Sequence, residues 1–133
     1  MRKLLIVLLL IAPLGCDLFE NEQTVPVAAI GEWKWTHSAG GWGNNADADS
    51  VDYTMKLTLY AQEAIWYRND EIMYEFWVRE KKKGWQENSF YMKLKDDKGC
   101  DMRGSYNSEE NLLTLSSAGC TDLPSHYFKK AGD

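Results

Sequence analysis

The sequence has little of what most catalytic and metal sites are built from. Its two histidines, His37 and His126, lie too far apart in sequence for a zinc motif. It contains no Gly-x-Ser-x-Gly motif, and its one basic run, Lys81, Lys82 and Lys83, fits a solvated hairpin tip. A net charge of −5 without a larger basic cluster is atypical of nucleic-acid binding. We therefore expect a protein that is not an enzyme, holds no metal or cofactor and does not bind nucleic acid.

The acidic residues do not form a recognisable site either. Four glutamates fall at outward-facing positions rather than as a tuned pair of carboxylates: Glu63, Glu75, Glu80 and Glu87. Residues 44–52 are rich in side-chain oxygens. Counted from Asp47, however, they lack the Gly at position six and the Glu at position twelve of a calcium loop. This segment is therefore predicted to be a solvated loop.

No apolar run approaches the roughly 20 residues needed to cross a bilayer. The longest, residues 4–12, follows Arg2 and Lys3 and leads through Gly15 to Cys16, which is the layout of a secretory signal. Leu14-Gly15-Cys16 resembles the lipobox of bacterial lipoproteins. The resemblance implies that Cys16 receives a diacylglycerol thioether, becomes the N-terminus and is acylated again. An ordinary secretory signal with an incidental cysteine is the alternative.

This signal divides the chain into three predicted parts. Residues 1–15 are a lipoprotein signal peptide, residues 16–29 a lipid-anchored tether, and residues 30–131 one folded domain. The predicted partner of the N-terminus is a membrane, held through two or more acyl chains. We expect an exported monomer on the cell envelope, at the outer membrane on its periplasmic or surface face. Asp17 is also similar to a signal for retention at the inner membrane.

The other two cysteines are expected to form a disulfide. If Cys16 carries lipid, Cys100 and Cys120 remain as an even pair in an exported domain. A hairpin centred near residue 109 would place Cys100 opposite residues 118–120. Cross-strand neighbours lie close enough for the bond.

Apolar and polar residues alternate with period two through most of residues 30–130. Trp33 and Trp35 share one face of the first segment, whereas Glu32 and Lys34 share the other. Eight such strands are predicted, at residues 30–37, 51–60, 64–68, 71–80, 90–95, 100–106, 111–117 and 126–130. Short turns join most of them and no helix is indicated. The fold class is therefore predicted as all-β, an eight-stranded antiparallel up-and-down barrel.

Several short motifs in this region occur in the order found in a known family. Gly31-Glu32-Trp33 opens the first strand, and a glycine-rich loop follows at residues 38–50. Tyr67-Arg68-Asn69-Asp70 makes a hairpin, and Tyr127-Phe128-Lys129-Lys130 closes the domain. Together they resemble the lipocalins and the wider calycin group, above all the lipocalin-like lipoproteins often seen in Bacteroidetes.

The resemblance implies a barrel that binds a small apolar ligand. In the family the first-strand Trp plugs the closed end and packs against a late Arg. Trp33 would be the plug, with Lys129 or Lys130 in place of the Arg. Residues 38–50 would partly cover the open end.

The inward-facing residues define a candidate ligand cavity: Tyr53, Met55, Leu57, Tyr74, Phe76, Phe90 and Met92. An eight-stranded interior can be filled by side chains or can hold one small ligand, and the sequence leaves both open. The main hypothesis is a lipid-anchored binder of a small apolar molecule. The alternative is a surface adhesion or inhibitor module that binds glycan or protein through exposed aromatic residues, with Trp42, Trp77 and Trp85 as candidates.

Overall fold

The computed structural model of this chain describes residues 25–41 and 45–132. The predicted signal peptide, Cys16, the first part of the tether and Trp42 lie outside the described residues. The described part contains nine strands: β1 (Gly31–Ala39), β2 (Ala46–Asp47), β3 (Met55–Leu59), β4 (Glu63–Arg68), β5 (Glu71–Glu80), β6 (Ser89–Leu94), β7 (Met102–Asn107), β8 (Leu112–Ser117) and β9 (Ser125–Lys130). One 3₁₀ turn, Val27–Ala29, precedes β1. Within these ranges no helix is long and apolar enough to span a bilayer.

Eight of these strands form a closed antiparallel barrel. From β3 to β9 each strand pairs with its neighbour in sequence, and β1 pairs with both β3 and β9. Trp33 on β1 thus lies opposite Leu57 on one side and Lys130 on the other. The predicted eight-stranded barrel is confirmed. The ninth strand, β2, lies in the predicted loop 38–50 and pairs with the end of β1.

The observed strand boundaries follow the predicted ones closely except in β3. That strand was predicted over residues 51–60, but its ladder runs only from Met55 to Leu59. Val51 and Tyr53 still pack against the core. The alternation of apolar residues therefore predicted which side chains pack on the core, not where the strand begins. The packed side chains start at Val51, four residues before the first residue of β3.

A β-bulge in β1 changes which side chains face the interior. Trp33 and Trp35 are buried, as the alternation predicts, but the register of β1 against β9 shifts after Trp35. His37 therefore faces outward and stacks on Tyr127, with 4.4 Å between the ring centroids. Ser38 is buried in its place. One extra residue in a strand produces this exchange of faces.

Residues 25–29 close one end of the barrel. Val25 and Ala29 are fully buried in the core, and the Val25 N–H donates to the Ala61 carbonyl at 3.3 Å. The sequence placed these residues at the end of the tether. The folded domain instead begins at Val25, because the chain packs its small apolar side chains under the barrel before β1 starts.

Trp33 lies at this closed end. Its side chain is fully buried, and its Nε1–H donates to the Ala29 carbonyl at 2.8 Å. Lys130 Nζ lies 5.8 Å from the centroid of the Trp33 ring and donates to the Ala28 carbonyl at 2.7 Å. Of the two lysines considered from the sequence, Lys130 is the one beside Trp33, whereas Lys129 is exposed.

The predicted disulfide is confirmed. Cys100, between β6 and β7, is bonded to Cys120, between β8 and β9, and their Cα atoms are 6.0 Å apart. The β7–β8 ladder ends at the pair Met102 and Ser117. The disulfide therefore links the two chain segments just beyond the end of this ladder. It ties together two loops at the end of the barrel opposite Val25.

Candidate ligand pocket

A pocket of about 690 Å³ lies at this second end, which we call the open end. Pockets of roughly 300–1,000 Å³ are typical of small-molecule sites. Most of its lining is apolar, with Met55, Met73, Phe76, Leu94, Met102 and Leu123 among the contributors. Loops also contribute to the lining of the pocket, through Asn45, Cys100 and Pro124.

Four of the seven predicted cavity residues line the pocket and three do not. Tyr53, Met55, Tyr74 and Phe76 are brought together in the lining. Leu57, Phe90 and Met92 are fully buried but are not among the lining residues. The sequence left open whether the interior is filled by side chains or contains a cavity, and the barrel has both. One half of the barrel is packed with side chains, and the other half is hollow.

In the packed part of the interior, the Phe90 ring on β6 lies against Gly104 on β7. A Cβ added to Gly104 would lie only 2.3 Å from the Cε2 and Cζ atoms of Phe90. The Phe90 ring thus occupies the space that any other side chain at residue 104 would need. This fully buried ring lies over the backbone of the neighbouring strand and helps to fill the interior.

A second bulge, in β5, shapes the pocket wall. Trp66 on β4 pairs with Tyr74, and the next residue, Tyr67, pairs with Ile72, which leaves Met73 without a partner in the ladder. Met73 and Tyr74 consequently both line the pocket. Strict alternation along β5 would place Ile72 on the inner face with Tyr74, but the bulge turns it outward and it is 57% exposed.

A hydrogen-bonded network lies on one side of the pocket. Ser38 Oγ accepts the Trp35 Nε1–H at 2.9 Å and lies 2.6 Å from His126 Nδ1. Burial of the imidazole lowers the pKa of His126 from 6.5 to about 4, so that the side chain is neutral at pH 7. Within the described ranges no acidic side chain contacts His126, and the Ser38 oxygen is already engaged by Trp35. The Ser38 hydroxyl thus links the Trp35 indole to the His126 imidazole at the pocket wall.

Trp66 contributes the one buried side-chain polar atom without a hydrogen-bond partner among the described residues, its Nε1. The side chain is 4% exposed and lines the pocket. Its ring makes edge-to-face contacts with His126 and Phe128, at centroid distances of 4.8 and 5.7 Å. An apolar setting makes an unpaired indole N–H costly, so this group stands out in the site.

Arg68 supplies the only charged side chain of the lining. Its guanidinium lies 4.0 Å from the centroid of the Tyr53 ring, which also lines the pocket. No Asp or Glu is among the lining residues. Its guanidinium is thus the one formal charge of the lining, carried by an exposed residue that pairs with Glu71 in the β4–β5 ladder.

Sequence reasoning missed Trp66, Met73 and His126 as lining residues. Trp66 could have been found, because it pairs with Leu57 and Tyr74, two residues already assigned to the interior. Met73 enters the lining only through the bulge. His126 lies at the start of β9, where the short predicted strand gave no clear face.

Described residues of the segment 38–50 border the pocket, and the carboxylate of Asp47 accepts hydrogen bonds from within the segment. Asn45 and Ala46 line the mouth, as expected for a segment that partly covers the open end. Asp47 Oδ1 accepts the backbone N–H groups of Asp49 and Ser50, at 3.1 and 3.0 Å. In the part of the chain that is described, no group of three or more His, Cys, Asp or Glu could hold a metal ion.

The outer wall carries two of the three aromatic residues proposed as exposed. Trp77 on β5 is 38% exposed, with Lys95 Nζ 4.0 Å from its ring centroid. Trp85 is half-buried, and the Arg103 guanidinium lies 5.5 Å from its centroid. Each of these two rings thus lies beside a cation on the outside of the barrel.

Comparisons with known proteins identified no relative of this chain. No protein-family model matches the chain, and no similar protein was found among curated proteins or among solved structures.

Proposed function

We propose that this protein binds a small apolar molecule in the hollow half of its barrel, without chemical conversion. The observation that carries the proposal is the pocket of about 690 Å³, lined mostly by methionine, aromatic and leucine side chains. Its floor is the packed half of the interior, so a ligand can enter only from the open end. The family resemblance of the sequence motifs supports the same function.

Native mass spectrometry of protein purified without detergent tests this proposal, together with displacement of a fluorescent fatty acid. We expect a co-purified molecule or saturable displacement. Tyr74→Ala removes a lining ring and should weaken binding roughly two- to tenfold, the equivalent of one aromatic contact. Trp77→Ala, on the outer face of the same strand, is the matched control and should leave it unchanged. Failure to bind any probe would refute the proposal.

We further propose that the barrel is exported and held at the cell envelope by acyl chains on Cys16. The confirmed disulfide supports an oxidising compartment. Labelling with radioactive palmitate tests the anchor: the wild type should incorporate label, whereas Cys16→Ser should not and should be released or remain an uncleaved precursor. A labelled Cys16→Ser variant would contradict the anchor but not the pocket.

A second function is supported by the outer wall. Trp77 and Trp85 present aromatic rings beside cations, an arrangement that can stack on sugars or dock a protein. A glycan and envelope-protein binding screen distinguishes the two functions. If Trp77→Ala and Trp85→Ala abolish a binding event that Tyr74→Ala leaves intact, the outer wall is the functional surface.

A further inference from the structure

The pocket offers hydrogen-bond donors and positive charge, and its lining has no acidic group to match them. Trp66 Nε1–H has no partner among the described residues, and Arg68 makes its described contact with the ring of Tyr53. Both residues belong to β4 and line the pocket. Being two positions apart, they project from the same face of the strand, about 6–7 Å from one another along it.

Their depths in the pocket differ. Trp66 pairs with Leu57 and Tyr74 inside the barrel, whereas Arg68 ends β4 beside the hairpin that follows it. A ligand group lying against β4 would therefore have the guanidinium on its side nearer the mouth. It would have the neutral indole N–H on its deeper side. The neighbouring imidazole of His126 adds no charge near neutral pH, because its pKa is lowered to about 4.

We propose that the ligand is an apolar molecule that ends in a carboxylate. One carboxylate oxygen accepts the Trp66 Nε1–H, and the negative charge faces Arg68. The apolar remainder lies against the methionine and leucine side chains of the neighbouring strands, at Met73, Leu94 and Met102. This inference rests on the proposed binding function and assigns the chemistry of its ligand.

A carboxylate fits better than a hydroxyl or an amine. An ionised carboxylate has only acceptor oxygens, so it meets both groups without bringing a donor that would need its own partner. Hydrogen bonds from N–H groups to an ionised acceptor are also stronger than neutral ones. An amine would place a positive charge beside Arg68, in a lining without Asp or Glu.

Two probes with the same chain length and opposite charge test the inference: dodecanoate and dodecyltrimethylammonium. Their affinities are measured by calorimetry on the purified protein in detergent-free buffer. We expect dodecanoate to bind at least about tenfold more tightly, a difference of about 1.4 kcal/mol. The net charge of −5 would favour the cation at any non-specific site, so a preference for the anion reports the pocket.

Two pocket variants assign the preference to residues. Trp66→Phe removes the indole N–H and Arg68→Gln removes the charge, and each should weaken dodecanoate binding about tenfold while sparing the cation. Trp77→Phe and Arg79→Gln make the same changes on the outer face of β5 and should have no effect. Thermal unfolding of each variant checks that the barrel is intact.

A measurement on the wild type makes the test independent of variants. The indole ¹H–¹⁵N resonance of Trp66 should move downfield when dodecanoate is added, because its proton gains an acceptor. Equal affinity for both probes with a stationary Trp66 resonance would overturn the carboxylate inference and leave the binding function standing. Absence of binding by either probe would overturn the binding function itself.

Discussion

Ser38 and His126 join the first and last barrel strands through their side chains, with 2.6 Å between Ser38 Oγ and His126 Nδ1. The same two residues face each other in the β1–β9 ladder, so backbone and side chains meet at one point of the closing seam. Trp35 extends the network inward by donating to Ser38 Oγ. The seam is thereby fixed at the open end, beside the pocket.

Two tryptophan-to-phenylalanine variants should differ in stability. Trp35→Phe leaves Ser38 Oγ without its donor and should lower the free energy of unfolding by about 1–3 kcal/mol, the cost of disrupting a buried hydrogen bond. Trp66→Phe loses an N–H that has no partner in the described protein and should cost less. Urea unfolding of both ligand-free variants measures the difference. Equal losses would show that the Ser38 network contributes nothing beyond packing.

Stability should fall in mild acid because of His126. Its folded-state pKa of about 4 lies below the ordinary 6.5, since burial disfavours the charged form. Between these values the unfolded chain binds a proton that the folded protein does not, so the free energy of unfolding decreases as the pH drops from about 6.5 to about 4. Below that range this contribution no longer changes.

Urea unfolding between pH 7 and pH 4 measures this dependence. His126→Gln should flatten the pH profile in that window, whatever its effect on stability at pH 7. His37→Gln, on the outer face of β1, is the matched control and should keep the wild-type slope. If both variants titrate like the wild type, other groups determine the acid sensitivity.

Gly104→Ala should destabilise the packed half of the barrel. The new methyl group would overlap the Phe90 ring, and overpacking of this kind typically costs about 1–3 kcal/mol. Adding Phe90→Leu should restore part of the loss, so that a double-mutant cycle shows strong coupling between the two positions. Gly119→Ala, where an added Cβ meets nothing within 4 Å, should be close to neutral. Additive effects of the first pair would argue against the close contact.

Removal of the disulfide should lower stability without changing the strand order. Cys100 and Cys120 are 20 residues apart, and a closed loop of this size contributes about 3 kcal/mol by limiting the unfolded chain. The Cys100→Ser, Cys120→Ser double variant should show this loss in urea unfolding. Reduction of the wild type with dithiothreitol should produce the same shift. An unchanged midpoint in both cases would mean that the bond adds no net stability.

The architecture was largely predictable because its signals are local and repeated. Each barrel strand alternates apolar and polar residues, and the turns between strands are short, so sequential hairpins follow almost directly. The disulfide followed from the same register, since the hairpin around residue 109 brings Cys100 and Cys120 together. Burial under the closed end was not evident, because Val25 and Ala29 show no periodicity.

The pocket was only partly predictable, and the bulges are the main reason. Strict alternation places Ile72 and His37 inside, but one extra residue in β5 and another in β1 turn both outward. Packing between residues of different strands, such as the Phe90 ring over Gly104, is equally invisible to alternation. Such contacts depend on how strands pack in three dimensions, and the spacing of residues along the sequence does not predict them.

The burial of Val25 and Ala29 makes the two ends of the barrel different. The chain enters the barrel at the closed end, whereas the pocket opens at the other end of strands such as the six-residue β4, roughly 20 Å away. The mouth therefore faces away from the end at which the described chain enters, so a small molecule can reach the pocket without crossing the packed half or opening the β1–β9 seam.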